Sequence, residues 1–267
     1  MTYGFAIYSY ITSSYKMGIV VPYLMGGLGN WLFQVAAAIM FAGKDVILSP
    51  VHCARSPHSP TDYLNTIFKK FPHGIVNLLL TRVEEPPKLH PFASPPSLRT
   101  NTLLFGYFQN WKTVPSGFRD MLVFENPSLL TKYPGIADSC FLHVRGGDYV
   151  GHWLHDVGLA KRYYPSAIQS MKDAGITRFF VFTNDRDYCL SQGFLKDLDY
   201  TIIDENEIDS LYLMTQCKAG IMANSSFSWW GAYLNPNRPI CIPGRWFNDT
   251  EYWIDGYFFP GWTVHQV

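Results

Sequence analysis

The chain has 267 residues, 48% of them hydrophobic and 16% charged, with 19 Phe, 17 Tyr and 8 Trp, which is enough apolar mass for one large core or two modest ones and describes a well-packed globular protein rather than a disordered one. Its 21 basic and 21 acidic side chains cancel, and no run of five or more like charges occurs, so nucleic acids and anionic membrane surfaces are poor partners. An anion bound by such a chain is small and met by a few focused groups, as a nucleotide diphosphate would be.

The five cysteines, Cys53, Cys140, Cys189, Cys217 and Cys241, are odd in number and never form a CxxC pair, so the pattern suggests neither a disulfide framework nor a zinc cage and fits a reducing compartment. Residues 1–16 are apolar only in patches, too short to span a bilayer and without a basic start; they read as a leader of unknown role, with Met17 as an alternative start.

In chain order, Gly18 to Leu24 reads as a strand, GGLGN as a tight turn, and Trp31 to Ala42 as an apolar, alanine-rich helix. Asp45 to Leu48 reads as a second buried strand, and Ser56 to Pro60 and Glu84 to Pro96 as proline-rich loops. The text turns polar from Asn126 to Asp138, where a boundary separates an N-terminal lobe, 17–135, from a C-terminal lobe, 136–267. A strand then starts at Ser139 and runs into HVRGGDY. It is followed by a helix Tyr163 to Ala174, strands Arg178 to Thr183 and Tyr200 to Ile203, a helix Glu207 to Cys217 and a strand Ala219 to Ala223. This alternation predicts an α/β fold of two Rossmann-like lobes, with a parallel sheet wound on both faces and ligands outside the carboxyl ends of its strands.

Each polar cluster follows a predicted strand. GGLGN lacks the third glycine of a dinucleotide fingerprint, because position 32 is Leu32; it remains a turn where backbone at Gly29 approaches a ligand and Asn30 and Gln34 offer hydrogen bonds. In HVRGGDY, Arg145 can grip two phosphate oxygens at every working pH, although an Arg145–Asp148 ion pair holding the turn is an equally simple reading. In NSSFSWW, Ser225 and Ser226 open a helix whose N-terminus suits a phosphate, or act as ordinary caps; Trp229 and Trp230 read as core. Asp185 and Asp187 form a DxD pair, repeated by chance at Asp197 and Asp199, and His152 with His155 has metal-ligand spacing but only Asp156 as a third group. The expectation is no metal and no cofactor.

Taken in order, GGLGNWLFQVA, FLHVRGGDYV, FFVFTND and ANSSFSWWGAYLN resemble the α-1,2-fucosyltransferases, glycosyltransferase family 11, over roughly Gly18 to Pro243. The resemblance implies a two-lobed GT-B architecture. It also implies metal-independent, inverting transfer of fucose from GDP-fucose to a sugar hydroxyl, O-2 of a galactoside, with a glycan acceptor as partner. By the same resemblance Arg145 holds the pyrophosphate, with His143 supporting the departing charge. The loop Asn224, Ser225, Ser226 and Phe227 cradles the β-phosphate and Asp209 meets the guanine, while Gly29 and Asn30 complete the donor side and Trp31 and Gln34 face the acceptor. The family's second arginine is Gly146 here, and Trp31 stands where glutamine is usual. Asp148, the one carboxylate in the motif, is the candidate base, although an aspartate beside an arginine is a weakly basic anion. No membrane anchor is apparent, so a cytoplasmic location is expected. The rival readings are a transferase using another sugar nucleotide, a metal-dependent one built on Asp185 and Asp187, and a carbohydrate-binding pseudoenzyme.

Overall fold

The computed structural model describes residues 18–54, 62–86, 98 and 100–267; the expected leader and most of the two proline-rich loops lie outside the described residues. Strand β1 (Val20–Pro22) is a short β-branched run with all three residues buried. Helix α1 (Leu28–Ala42) begins after Gly27 and stops at Gly43, whose left-handed backbone lets its N–H return to the Ile39 carbonyl at 2.7 Å. Strands β2 (Thr81–Glu84) and β3 (Thr102–Phe105) complete a parallel sheet in the order β1-β3-β2. One-turn helices α2 (Phe118–Met121) and α3 (Leu129–Lys132) lead to the second sheet.

That sheet is built from β4 (Cys140–Val144), β5 (Arg178–Thr183), β6 (Asp199–Ile202), β7 (Ala219–Ile221), β8 (Ile240–Pro243) and β9 (Thr263–His265). All its pairings are parallel, in the order β6-β5-β4-β7-β8-β9. Helices α4 (Tyr163–Asp173), α5 (Arg186–Leu190), α6 (Glu207–Gln216) and α7 (Ser226–Leu234) provide the crossovers. The chain enters at β4, winds outward through β5 and β6, then returns to the centre and winds the other way from β7. The gap between the carboxyl ends of β4 and β7 is therefore the topological switch point, where open α/β sheets bind ligands.

Alternate residues of β4 and β5 serve opposite faces. Phe141, Phe180 and Phe182 join one core with α6 and α7, whereas Leu142, Val144, Phe179 and Val181 join another with Tyr163, Ala167 and Met171 of α4. The first of these cores runs on without a break into α1 and the first sheet: Phe33 packs at 4.6 Å from the Trp229 ring and 5.0 Å from that of Trp230. Trp229 and Trp230 are fully buried there. The two sheets thus share a helix-on-helix seam, α1 against α7, rather than being separated by solvent.

The expected second strand at Asp45 to Leu48 is replaced by two single bridges, Val46 to Val20 and Leu48 to His73. Each residue finds a different partner, so no ladder develops. Strand β2, unread in the sequence, is an edge strand with exposed Thr81, Arg82 and Glu84, the last two ion-paired at 2.5 Å.

Candidate functional site

Strand β4 delivers His143 and then Arg145 to the switch point, and β7 delivers Asn224 to Phe227 from the other side. His143 is only 3% exposed, its ring lies 5.7 Å from that of Phe227, and its Nδ1 has no hydrogen-bond partner. Its carbonyl accepts a hydrogen bond from the Tyr164 hydroxyl at 2.9 Å. Burial, helped by the charge of Arg145, lowers its pKa to about 3. The ring is therefore neutral at working pH and packs between β4 and α7, so it can meet phosphate charge as a hydrogen-bond donor but not as a cation. Because an unfolded histidine takes up a proton near its ordinary pKa and this one does not, stability is present above that value and lost as pH falls toward about 3. Between about pH 6 and 4 this residue is expected to cost about 1.4 kcal/mol per pH unit, a slope that urea unfolding of His143→Asn should lack.

Arg145 donates from Nη2 to Asp148 Oδ1 at 2.6 Å and lies 4.8 Å from the centre of the Tyr149 ring. Its Nε is buried without a partner, and Nη1 makes no hydrogen bond among the described residues. The ion pair considered from the sequence is thus present, yet it occupies one corner of the guanidinium fork and leaves the rest unfilled.

The following glycine turn is held by the TND segment. Gly146 N–H donates to Asn184 Oδ1 and Gly147 N–H to Asp185 Oδ2, both at 2.9 Å; Asp185 Oδ1 caps α5 by accepting from Tyr188 N–H at 3.0 Å. Asp185 is therefore a cap and a brace. A Cβ on Gly146 would lie 2.7 Å from Tyr188 Cδ1 and 2.8 Å from Asp185 Cβ, so no side chain fits while Tyr188 keeps its place. Gly146→Arg is expected to lose about 1–3 kcal/mol through overpacking, and adding Tyr188→Ala should recover part of it, as thermal melts of the three proteins would show.

At the other side of the switch point, Ser225 caps α7 with no side-chain hydrogen bond, so the first N–H groups of the helix have no partner within it. Ser226 Oγ donates to Asn30 Oδ1 at 2.7 Å, and Gln109 Nε2 donates to the same oxygen at 2.7 Å. Tyr257 Oη donates to Gln109 Oε1 at 2.5 Å. Gly29 is in the first turn of α1, and a Cβ there would sit 2.4 Å from Phe227 N and 2.5 Å from Ser226 C. Two helix N-termini meet at that glycine, each bearing partial positive charge.

Several expected site residues are engaged by neighbouring groups of the fold. Asn224 is 2% exposed, and its Nδ2 bonds the carbonyls of His155 and Trp246, both at 2.9 Å. Gln34 is buried and closes a ring with the Met25 backbone, so it offers nothing to an acceptor. Trp31 packs edge-on to Tyr63 at 5.1 Å within the core. Asp209 accepts from Asn126 Nδ2 at 2.9 Å and Asn206 Nδ2 at 2.6 Å, which engages both its oxygens on the first turn of α6. His152 Nδ1 accepts the N–H groups of Leu154 and His155. Among the described residues no group of three or more His, Cys, Asp or Glu is placed to hold a metal ion. Sequence reasoning missed Gln109, Tyr188 and Tyr257; GYFQN, a glycine turn after β3, was the available signal for the first.

A crevice beside Arg145 is lined by Tyr149, His155, Tyr188 and Asn224. A larger cavity, about 340 Å³, lies at the far end of α7, where Arg119 donates to the Leu234 carbonyl and Arg238 to those of Asn235 and Asn237. These arginines cap the helix C-terminus.

Two parallel α/β units, with an arginine and paired helix N-termini where they meet, have the GT-B architecture. The solved fucosyltransferase NodZ from Bradyrhizobium has the same fold, with a TM-score of 0.51 at 15% identity over 83% of this chain and 93% of that one. The chain belongs to glycosyl transferase family 11, whose sequence profile matches residues 131–266. Similar curated proteins are the O-antigen biosynthesis glycosyltransferase WbnK of Escherichia coli and an alpha-1,2-colitosyltransferase of Escherichia coli. The first is 32% identical over 54% of this chain and 55% of its own length, the second 39% identical over 43% of each. The chain spans about half the length of these relatives. Among the described residues no helix is long and apolar enough to cross a membrane.

Proposed function

We propose that the chain transfers fucose from GDP-fucose to a sugar hydroxyl of a galactoside glycan, with inversion and without a metal. The observation that carries this reading is the partly unfilled guanidinium of Arg145 after β4, with the start of α7, whose cap makes no side-chain hydrogen bond, following the adjacent strand β7 on the other side of the switch point. As the bond from the sugar's anomeric carbon to the diphosphate lengthens, negative charge grows on phosphate oxygen. Arg145 and the α7 amides meet that charge at no cost of reorganisation, since β4, the glycine turn and the Gly29 crossing already fix them. Asp148 orients the guanidinium through its 2.6 Å hydrogen bond.

A second donor is favoured by one relative, the alpha-1,2-colitosyltransferase, which suggests a deoxy relative of fucose on the same nucleotide. The test is acceptor-dependent release of GDP from GDP-fucose, with GDP-colitose, GDP-mannose and UDP-galactose alongside, each with and without chelator. Turnover of GDP-fucose that resists chelator supports the proposal. Preference for GDP-colitose moves the donor, loss on chelation requires a metal, and no donor binding at all leaves a carbohydrate-binding protein.

A further inference from the structure

Asp148 is engaged by Arg145 through one oxygen, and the first sheet brings a second carboxylate to the carboxyl ends of its strands. Glu85 directly follows β2, at the same carboxyl edge from which β1 leads to GGLGN and β3 leads to GYFQN. Its Oε2 accepts the N–H groups of Tyr107 at 2.8 Å and Phe108 at 2.9 Å, and its own N–H donates to the Phe105 carbonyl at 2.8 Å. Gly106 makes room for it: a Cβ there would lie 2.4 Å from Glu85 Cβ and 2.8 Å from Oε2. Phe108 is held at φ 51°, a left-handed backbone that side-chain-bearing residues adopt only under strain. The next residue is Gln109, whose amide reaches Asn30 and through it Ser226 at the head of α7. The turn that Glu85 holds is therefore bonded directly into the donor side of the site.

The titratable groups around Glu85 come from its own turn and from the C-terminal segment. Tyr107 lies on its own turn, and Tyr257, from the C-terminal segment, feels both Glu85 and Tyr149. Tyr149 in turn feels Arg145, Asp148 and Tyr107. On its other flank Glu84 is paired with Arg82. The second carboxylate oxygen, Oε1, has no hydrogen-bond partner among the described residues.

We propose that Glu85 is the general base of the transfer, taking the proton of the acceptor hydroxyl on Oε1. The acceptor oxygen forms its bond to the anomeric carbon as the bond to the β-phosphate oxygen breaks. The electron pair of the broken bond leaves with GDP, facing Arg145 and the α7 amides, and Glu85 returns the proton to solvent. Burial raises the carboxyl above its ordinary range, against the lowering effect of the Phe108 and Tyr107 amides, which is the direction that makes a carboxylate a better base.

The assignment rests on the transfer reaction proposed above, and glutamine separates the two. In Glu85→Gln the side-chain oxygen can still accept from Tyr107 and Phe108, so the turn and donor binding should survive. The turnover rate is expected to fall about 10²- to 10³-fold, with loss of the acid limb of its pH profile. In Glu85→Ala, added formate should restore part of the rate. Binding of GDP-fucose and GDP-colitose reports on the donor reading, and the pH profile with whichever donor is turned over reports on Glu85. An unchanged acid limb in Glu85→Gln overturns the assignment, and so does loss of donor binding in step with rate, which would make Glu85 a brace for the turn. Transfer of the acid limb's dependence to His155, seen in His155→Gln, overturns it as well.

Discussion

Replacing Arg145 with alanine is expected to lower kcat/KM for the donor about 10²- to 10³-fold, the loss seen when one preorganised donor to a developing oxyanion is removed. The guanidinium leaves β4 over the Tyr149 ring with one corner fixed by Asp148, so its open edge is oriented before any ligand arrives. Lysine keeps the charge but not the fork and should recover only part of the loss. Steady-state kinetics of the two variants, with circular dichroism to check folding, would test this; an alanine variant that keeps more than half of the wild-type rate sinks the assignment.

The second large effect is on stability. Gly29→Ala places a methyl group 2.4 Å from Phe227 N, against backbone that cannot rotate away. Either the two helices part, which opens the packing of Phe33 on Trp229 and Trp230, or the first turn of α7 distorts. A loss of about 3 kcal/mol follows, seen as a Tm lowered by about 6–12 °C. Because Ser226 and Phe227 begin α7, donor binding should weaken together with stability. Ala36, buried later on α1, is a fitting control position: Ala36→Gly should cost about 1–2 kcal/mol, the helix penalty of glycine plus one lost buried methyl group.

The central strands β4, β5 and β7 of the second sheet were legible because they are buried on both faces and separated by helices of clear period, whereas β8 and the exposed edge strand β9 were not read. Strand Arg178–Thr183 reads from FFVF alone, and α6 starts where Asn206 can cap it through Ile208 and Asp209 N–H. The first sheet was less so, since β2 carries charge on an exposed edge and Val46 and Leu48 pair singly with different segments. Motif reasoning placed the polar clusters at strand ends, but it could not tell which polar groups the backbone would claim. Asn224, Gln34 and Asp209 each satisfy buried or turn groups nearby, the default use of a polar side chain in a folded chain. The contact between Asn30 and Ser226 spans 196 residues, and no local pattern announces it.

The seam between α1 and α7 also bears on how this chain can be recombined. Helix α7 lies inside the stretch that matches the family profile and α1 lies outside it. A fragment made of residues 131–266 alone would expose Trp229 and Trp230 where Phe33 covers them and would lose the Asn30 partner of Ser226. A chimera that draws its two halves from different relatives therefore inherits a lock and a key cut separately, and α1 and α7 have to be exchanged as one unit for the joined halves to fit.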